Sequence, residues 1–227
     1  MTKTQTRYIC QNCGSAQLKW SGRCPDCDEW NSLVETVVVP PPKRSGRSSV
    51  AIVGAPQPLP AISSDAFNRI PLSLPEMSRV LGGGIVPGSV VLLGGDPGIG
   101  KSTLLLQMAA LVAQQGEPIL YVSGEESAQQ IKMRATRLHI ADPSLFVLAE
   151  VNLEQILAHI EQLRPRLAVV DSIQSVYTEA LSGAPGSIGQ VRECAAQLLR
   201  LAKSAHMPVF LIGHVTKAGA IAGPRVL

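Results

Sequence analysis

The sequence predicts an α/β fold: a mostly parallel sheet with helices on both faces, preceded by a small four-cysteine module. Three observations carry this. From about residue 69, apolar runs of strand length alternate with helical segments, the pattern of consecutive βαβ units. A glycine-rich octapeptide, Gly95-Asp96-Pro97-Gly98-Ile99-Gly100-Lys101-Ser102, joins one such run to one such helix. Four of the five cysteines lie within residues 10–27, ahead of that alternation, as two Cys-x-x-Cys pairs.

Composition sets the outer bounds. The 227 residues suffice for one medium domain and a small module. Apolar residues make up 45% and aromatics only 4%, so Leu, Val, Ile and Ala must build the core. No apolar run reaches the length of a membrane span, and the N-terminus carries no apolar signal segment. The expectation is a cytoplasmic protein with no membrane partner. The net charge of +3 is unevenly placed: residues 1–50 hold seven Lys/Arg against four Asp/Glu, and the rest of the chain balances. That excess suits a polyanion partner or a plain solvated basic tail.

Residues 1–35 read as a metal module. Cys10 and Cys13 form one pair and Cys24 and Cys27 the other. Each pair puts two thiolates on one tight knuckle, and two knuckles make a tetrahedral S₄ site of the kind that suits Zn²⁺. Four protein ligands leave no open position, so the zinc is expected to be structural, and so small a module needs it to fold. The alternatives are a disulfide pair, which a cytosolic setting disfavours, and a four-cysteine iron–sulfur site. Trp20 and Trp30 read as packing over the knuckles or as base-stacking platforms. Residues 36–68 contain Pro40-Pro41-Pro42, a basic run over 43–47, then Pro56, Pro58 and Pro60, and read as an extended linker.

The α/β region follows from residue 69. Strands are expected at 90–93, 119–122, 146–148, 167–170 and 208–212, and helices at about 101–115, 127–138, 152–164 and 188–205. Gly116 stops the first helix, and Asn152 with Gln155 resembles a capping pair for the third. Cys194 falls among Val191, Leu198 and Leu201 as a small core residue. The octapeptide fits G-x-x-x-x-G-K-[ST], a phosphate-binding loop between strand and helix. Its backbone N–H groups, with the helix N-terminus, form an anion cradle. Lys101 would reach the β/γ-phosphates and Ser102 would hold Mg²⁺, with Gly95 through Thr103 forming the nucleotide site. Asp171 ends an apolar strand and is read as a contact to the Mg²⁺ shell from a strand next to the loop, or as a helix N-cap. Glu125 and Glu126 end another strand, where either carboxylate is placed to activate water. His214 follows the last strand, as a phosphate sensor or an ordinary loop histidine.

Together these residues resemble the bacterial RadA (Sms) recombination and repair ATPases. The match covers nearly the whole chain. It is carried by residues 8–14, 19–27 and 30–32, by 79–88, by the phosphate loop, by Tyr121-Val122-Ser123-Gly124-Glu125-Glu126-Ser127 and by Gly213-His214-Val215-Thr216-Lys217. The resemblance implies a RecA-like ATPase core, a homo-hexameric ring, and binding to single-stranded and branched DNA. It implies ATP-driven movement that promotes branch migration in homologous recombination beside a RecA-type recombinase. By the family motif Glu125 is the catalytic glutamate and His214 the γ-phosphate sensor. Segments 178–189 and 214–224 correspond to loops facing DNA, with Lys217 and Arg225 as phosphate contacts.

The family pattern continues beyond Leu227 with more strands, a Lys-Asn-Arg-Phe-Gly motif and a domain resembling the Lon protease. That motif supplies basic charge across a subunit interface, so the ATPase domain, 69–227, reads as C-terminally incomplete. The expectation is a chain that binds ATP but turns it over weakly. The reading is a DNA-dependent ATPase. Its rival is a nucleotide-regulated adaptor that grips DNA or a recombinase without productive motor activity.

Overall fold

In a computed structural model, the described residues are 5–10, 14–38, 58–61 and 68–214. They contain two sheets. Strands β1 (Gln5–Cys10), β2 (Ala16–Gln17) and β3 (Leu33–Val38) form an antiparallel sheet in the order β2-β1-β3. Strands β4 (Val90–Gly95), β5 (Ile119–Ser123), β6 (Leu145–Ala149), β7 (Leu167–Asp171) and β8 (Val209–His214) form a parallel sheet in the order β4-β8-β7-β5-β6. A short 3-10 turn at Leu59–Ala61 lies between the two sheets in sequence.

The central strands are buried on both faces, as a parallel sheet requires. Their alternate residues feed two separate cores. Ile119, Tyr121, Leu167, Val169, Phe210 and Ile212 pack with α2 (Lys101–Ala113) and α3 (Ala128–Arg137). Leu120, Val122, Ala168, Val170, Val209 and Leu211 pack with α4 (Leu153–Leu163) and α5 (Ile188–Ala205). Cys194 is in the second core, fully buried, and burial pushes its thiol up to about 12.

Helix ends follow local chemistry. Ser127 and Gln130 form a reciprocal capping box on α3, and Asn152 accepts from Gln155 N at 3.0 Å on α4. Gly116, at φ 88°, closes the turn after α2. The ends of α4 and α5 use Arg164 and His206 in the left-handed conformation, without a glycine to announce them. A short helix, α1 (Pro75–Val80), was not expected; Leu74 and Met77 pack it onto the first core.

Two boundaries differ from the expected ones in a way that matters. β4 and β8 run two residues further, pairing Gly94 with Gly213 and Gly95 with His214. Glycines signal turns in sequence, yet a parallel ladder needs only their backbone groups. β3 likewise continues to Val38, past residue 35, pairing with Gln5 of β1.

Candidate nucleotide and metal sites

The ladder brings four strand ends side by side: Gly95 of β4, His214 of β8, Asp171 of β7 and Ser123 of β5. Carboxyl ends of parallel strands are where such sheets bind ligands. β8 stands between β4 and β7, so Asp171 is not on the strand next to the phosphate loop as the sequence reading had it. His214 occupies the intervening position.

The loop leaves β4 at Gly95 and enters α2 at Lys101. Gly98 and Gly100 have φ of 81° and 98°, a region L side chains rarely enter. Gly100 is the left-handed N-cap of α2. The Lys101 ammonium is buried and donates to the carbonyl oxygens of Gly95 and Asp96, both at 2.8 Å. The loop is therefore bent around its own lysine, and a positive charge sits where the N-terminal dipole of α2 adds to it.

Asp171 is buried and caps no helix, since α5 begins only at Ile188. The N-cap alternative therefore does not apply. Its Oδ2 accepts from the Tyr121 hydroxyl at 2.6 Å, and Oδ1 has no hydrogen bond among the described residues. The peptide bond from Asp171 to Ser172 is cis. Ser172 Oγ donates to Glu125 Oε1 at 2.6 Å, and His214 Nε2 lies 3.1 Å from the same oxygen. Glu125 Oε2 is left without a protein partner among the described residues. Partial burial raises the Glu125 carboxyl, but the Ser172 hydroxyl, His214 and the Lys101 charge outweigh it, so its pKa lies below the ordinary value. Glu126 is otherwise engaged: its Oε2 pairs with Arg134 Nη2 at 2.8 Å, and its backbone N–H donates to Ser123 Oγ. Position at a strand end left the two glutamates equivalent and the family motif singled out Glu125; their partners in the structure differ.

The loop over 178–189 is held from beneath by a residue that sequence did not flag. Gln190 is buried; its Oε1 accepts from Thr178 N at 2.8 Å, and its Nε2 donates to the carbonyls of Thr178, Leu181 and Gly183. Nothing in a lone glutamine near a helix start signals that role. Lys217 and Arg225 lie outside the described residues.

In the antiparallel sheet, Cys10, Cys24 and Cys27 bring their sulfurs within 4.8 Å of one another. The Cys10 and Cys27 sulfurs are 3.6 Å apart, too far for a disulfide. Four sulfurs bound at about 2.3 Å around one ion would be spaced by about 3.8 Å. The donor set therefore fits a zinc ion. The two knuckles repeat one backbone pattern. Gly14 N donates to Cys10 O and Asp28 N to Cys24 O; Cys10 N donates to Ser15 O and Cys24 N to Glu29 O, all at 2.9 Å. Gly14 and Asp28 share the same positive φ, at 73° and 60°. Cys13 lies outside the described residues. Trp20 and Trp30 do not pack over the knuckles: they are 59% and 67% exposed, flank Gly22, and Arg23 stacks 5.9 Å from the Trp30 ring centre. Among the described residues the module's buried apolar cluster is Cys10, Cys24 and Leu33, too small a core to enclose two indoles.

Comparison with known proteins places both parts of the chain in known families. Residues 55–220 match the AAA domain family, and residues 8–35 match the rubredoxin metal binding domain. The chain is 50% identical over 230 residues to the DNA repair protein RadA of Bacillus subtilis, covering 100% of this chain and 50% of that protein. It is 51% identical over 228 residues to the DNA repair protein RadA of Pseudomonas aeruginosa, with the same coverage. The chain thus spans about half the length of the curated relatives it matches. A KaiC-like protein from Pyrococcus horikoshii superposes with a TM-score of 0.55 at 22% identity, over 66% of this chain and 73% of that one. That likeness supports the RecA-like architecture of the parallel sheet and no more than the fold. The chain belongs to the AAA domain family, and over its whole length it is about half identical to DNA repair proteins named RadA.

Proposed function

We propose that the chain carries the ATP- and Mg²⁺-binding centre of a DNA-dependent ATPase acting in homologous recombination and repair. The observation that carries this is the meeting of the Lys101 loop, His214, Asp171 and Glu125 at four strand ends. Gly95 through Thr103 cradle the triphosphate through backbone N–H groups and the Lys101 ammonium. That ammonium exchanges its two carbonyl partners for phosphate oxygens. Ser102 and Asp171 would hold the cation, which would neutralise charge on the transferring phosphoryl group. Glu125 orients and deprotonates the attacking water through Oε2, while Ser172 and His214 keep its carboxylate charged and fixed.

His214 serves in this reading as the γ-phosphate sensor. It ends β8 beside the phosphate-loop strand, its ring lies 3.1 Å from Glu125, and the chain continues from it toward Lys217 and Arg225, proposed as DNA phosphate contacts. A change in His214 pairing is thus passed both to Glu125 and to that segment. Contacts confined to the DNA backbone give salt-sensitive binding with little sequence preference. Cys10, Cys13, Cys24 and Cys27 hold one structural zinc; the repeated knuckle pattern and the Cys-x-x-Cys spacing support Cys13 as the fourth ligand. In the whole protein this centre works in a hexameric ring that moves on single-stranded DNA and promotes branch migration beside a RecA-type recombinase.

Lys101→Ala tests the reading. It should abolish nucleotide binding, measured by equilibrium titration, while leaving about one zinc bound per chain. Retained nucleotide affinity would overturn it. Single-turnover hydrolysis with and without single-stranded DNA separates a motor from an adaptor: bound nucleotide that is never cleaved would make the chain the latter.

A further inference from the structure

Tyr121 lies at the middle of β5 with no solvent exposure, and its ring packs in the core beneath α2. A phenylalanine would supply that packing. The hydroxyl needs another reason, because a buried phenol without partners is costly. Its partners all belong to one place. It donates to Asp171 Oδ2 at 2.6 Å, it lies 3.4 Å from the Ser102 carbonyl oxygen, and it accepts from Arg134 Nη2 at 3.3 Å. The phenol has one proton, and the short bond to a carboxylate takes it. Arg134, itself only 12% exposed, is fixed in turn by its ion pair with Glu126 at 2.8 Å.

We propose that Tyr121 is a positioning residue for the divalent cation of the nucleotide site, setting the Asp171 carboxylate against the first turn of α2, with Arg134 locking its hydroxyl. The proposal rests on the reading of Ser102 and Asp171 as the residues facing that cation. Ser102 and Asp171 come from different strand–loop units with β8 between β4 and β7. The Tyr121 hydroxyl touches both. By occupying Oδ2 it fixes the carboxylate rotamer and leaves Oδ1 as the oxygen to offer. Groups behind a metal ligand commonly change metal affinity tenfold or more when removed.

The test is equilibrium binding of methylanthraniloyl-ATP to the full chain, in EDTA and across a Mg²⁺ titration. Tyr121→Phe should bind nucleotide like the parent in EDTA. Its half-maximal Mg²⁺ concentration should rise by about tenfold. Arg134→Met should shift the Mg²⁺ midpoint in the same direction by less. An unchanged midpoint in a folded Tyr121→Phe protein overturns the proposal. If that variant does not fold, an unchanged midpoint in Arg134→Met does so. A parent chain that binds no nucleotide overturns the functional reading and this inference with it. A parent that binds with a Mg²⁺ dependence the variants share sinks the inference alone.

Discussion

At the scale of single residues, the site works by dividing labour between chemically identical groups. Glu125 and Glu126 are neighbours, yet one is paired with Arg134 and the other bonded to Ser172 and His214. The Glu125 carboxyl lies below its ordinary pKa although burial acts to raise it. A depressed carboxyl is charged above its folded pKa and lost as the pH falls through it, so the acid limb of ATP turnover should lie below the ordinary carboxylate range. Ser172→Ala removes the largest opposing contribution and should move that limb to higher pH. The check is the pH dependence of kcat, and superimposable acid limbs would sink the assignment of Glu125 as the base. Lys101, Asp171 and Glu125 were legible in the sequence because each has a characteristic spacing from a strand end. Tyr121, Arg134 and Ser172 were not. Their partners lie 50, 13 and 47 residues away along the chain, and only the strand order brings them together.

At the scale of elements, alternation of apolar runs and helical segments reveals how many strands and helices to expect, since burial on both faces demands continuous apolar strands. It says nothing of order, and the insertion of β8 between β4 and β7 is what puts His214 beside the loop. Strand ends were underestimated where glycine occurs, at Gly94, Gly95 and Gly213. Gly124 illustrates the opposite case, a glycine demanded by close approach. It follows β5 directly, donates to the Asp171 carbonyl at 2.8 Å, and a Cβ there would fall 2.7 Å from Ser175 Cβ and 3.0 Å from Val151 Cγ1. Ser175 Cβ cannot retreat without moving the turn that carries Ser172, to whose carbonyl both its N–H and its hydroxyl donate. Gly124→Ala should therefore displace the segment bearing Glu125, destabilise the chain by about 1–3 kcal/mol and lower kcat by about tenfold or more. Thermal melting and steady-state hydrolysis measure the two effects. A variant that melts and turns over like the parent would show that the approach is not restrictive.

At the scale of the whole molecule, the described residues contain two sheets whose stability has different origins. The parallel sheet has two extensive apolar cores and needs no ion to persist. The antiparallel sheet has a core of Cys10, Cys24 and Leu33, two of which are sulfur donors. Burying one leucine is worth about 1.5–3 kcal/mol, against an ordering cost of about 1–2 kcal/mol for each residue fixed. A structural zinc contributes on the order of 10–16 kcal/mol, so the zinc proposed for this module would decide whether the sheet forms. The exposed salt bridge from Arg23 to Asp28 adds little to that balance. Stripping zinc with a chelator should therefore abolish hydrogen-exchange protection in β1 and β3 while β5, β7 and β8 keep theirs. Nucleotide affinity should stay within about twofold of the parent, because among the described residues the hydrogen bonds of the Lys101, Asp171 and Glu125 side chains come from the second sheet and its loops. Cys24→Ser should reproduce the chelated pattern without chelator. Protection of β1 and β3 that survives zinc loss would mean that side-chain packing, not the metal, holds the module. Nucleotide affinity that falls with the zinc would mean that the module takes part in building the ATP site.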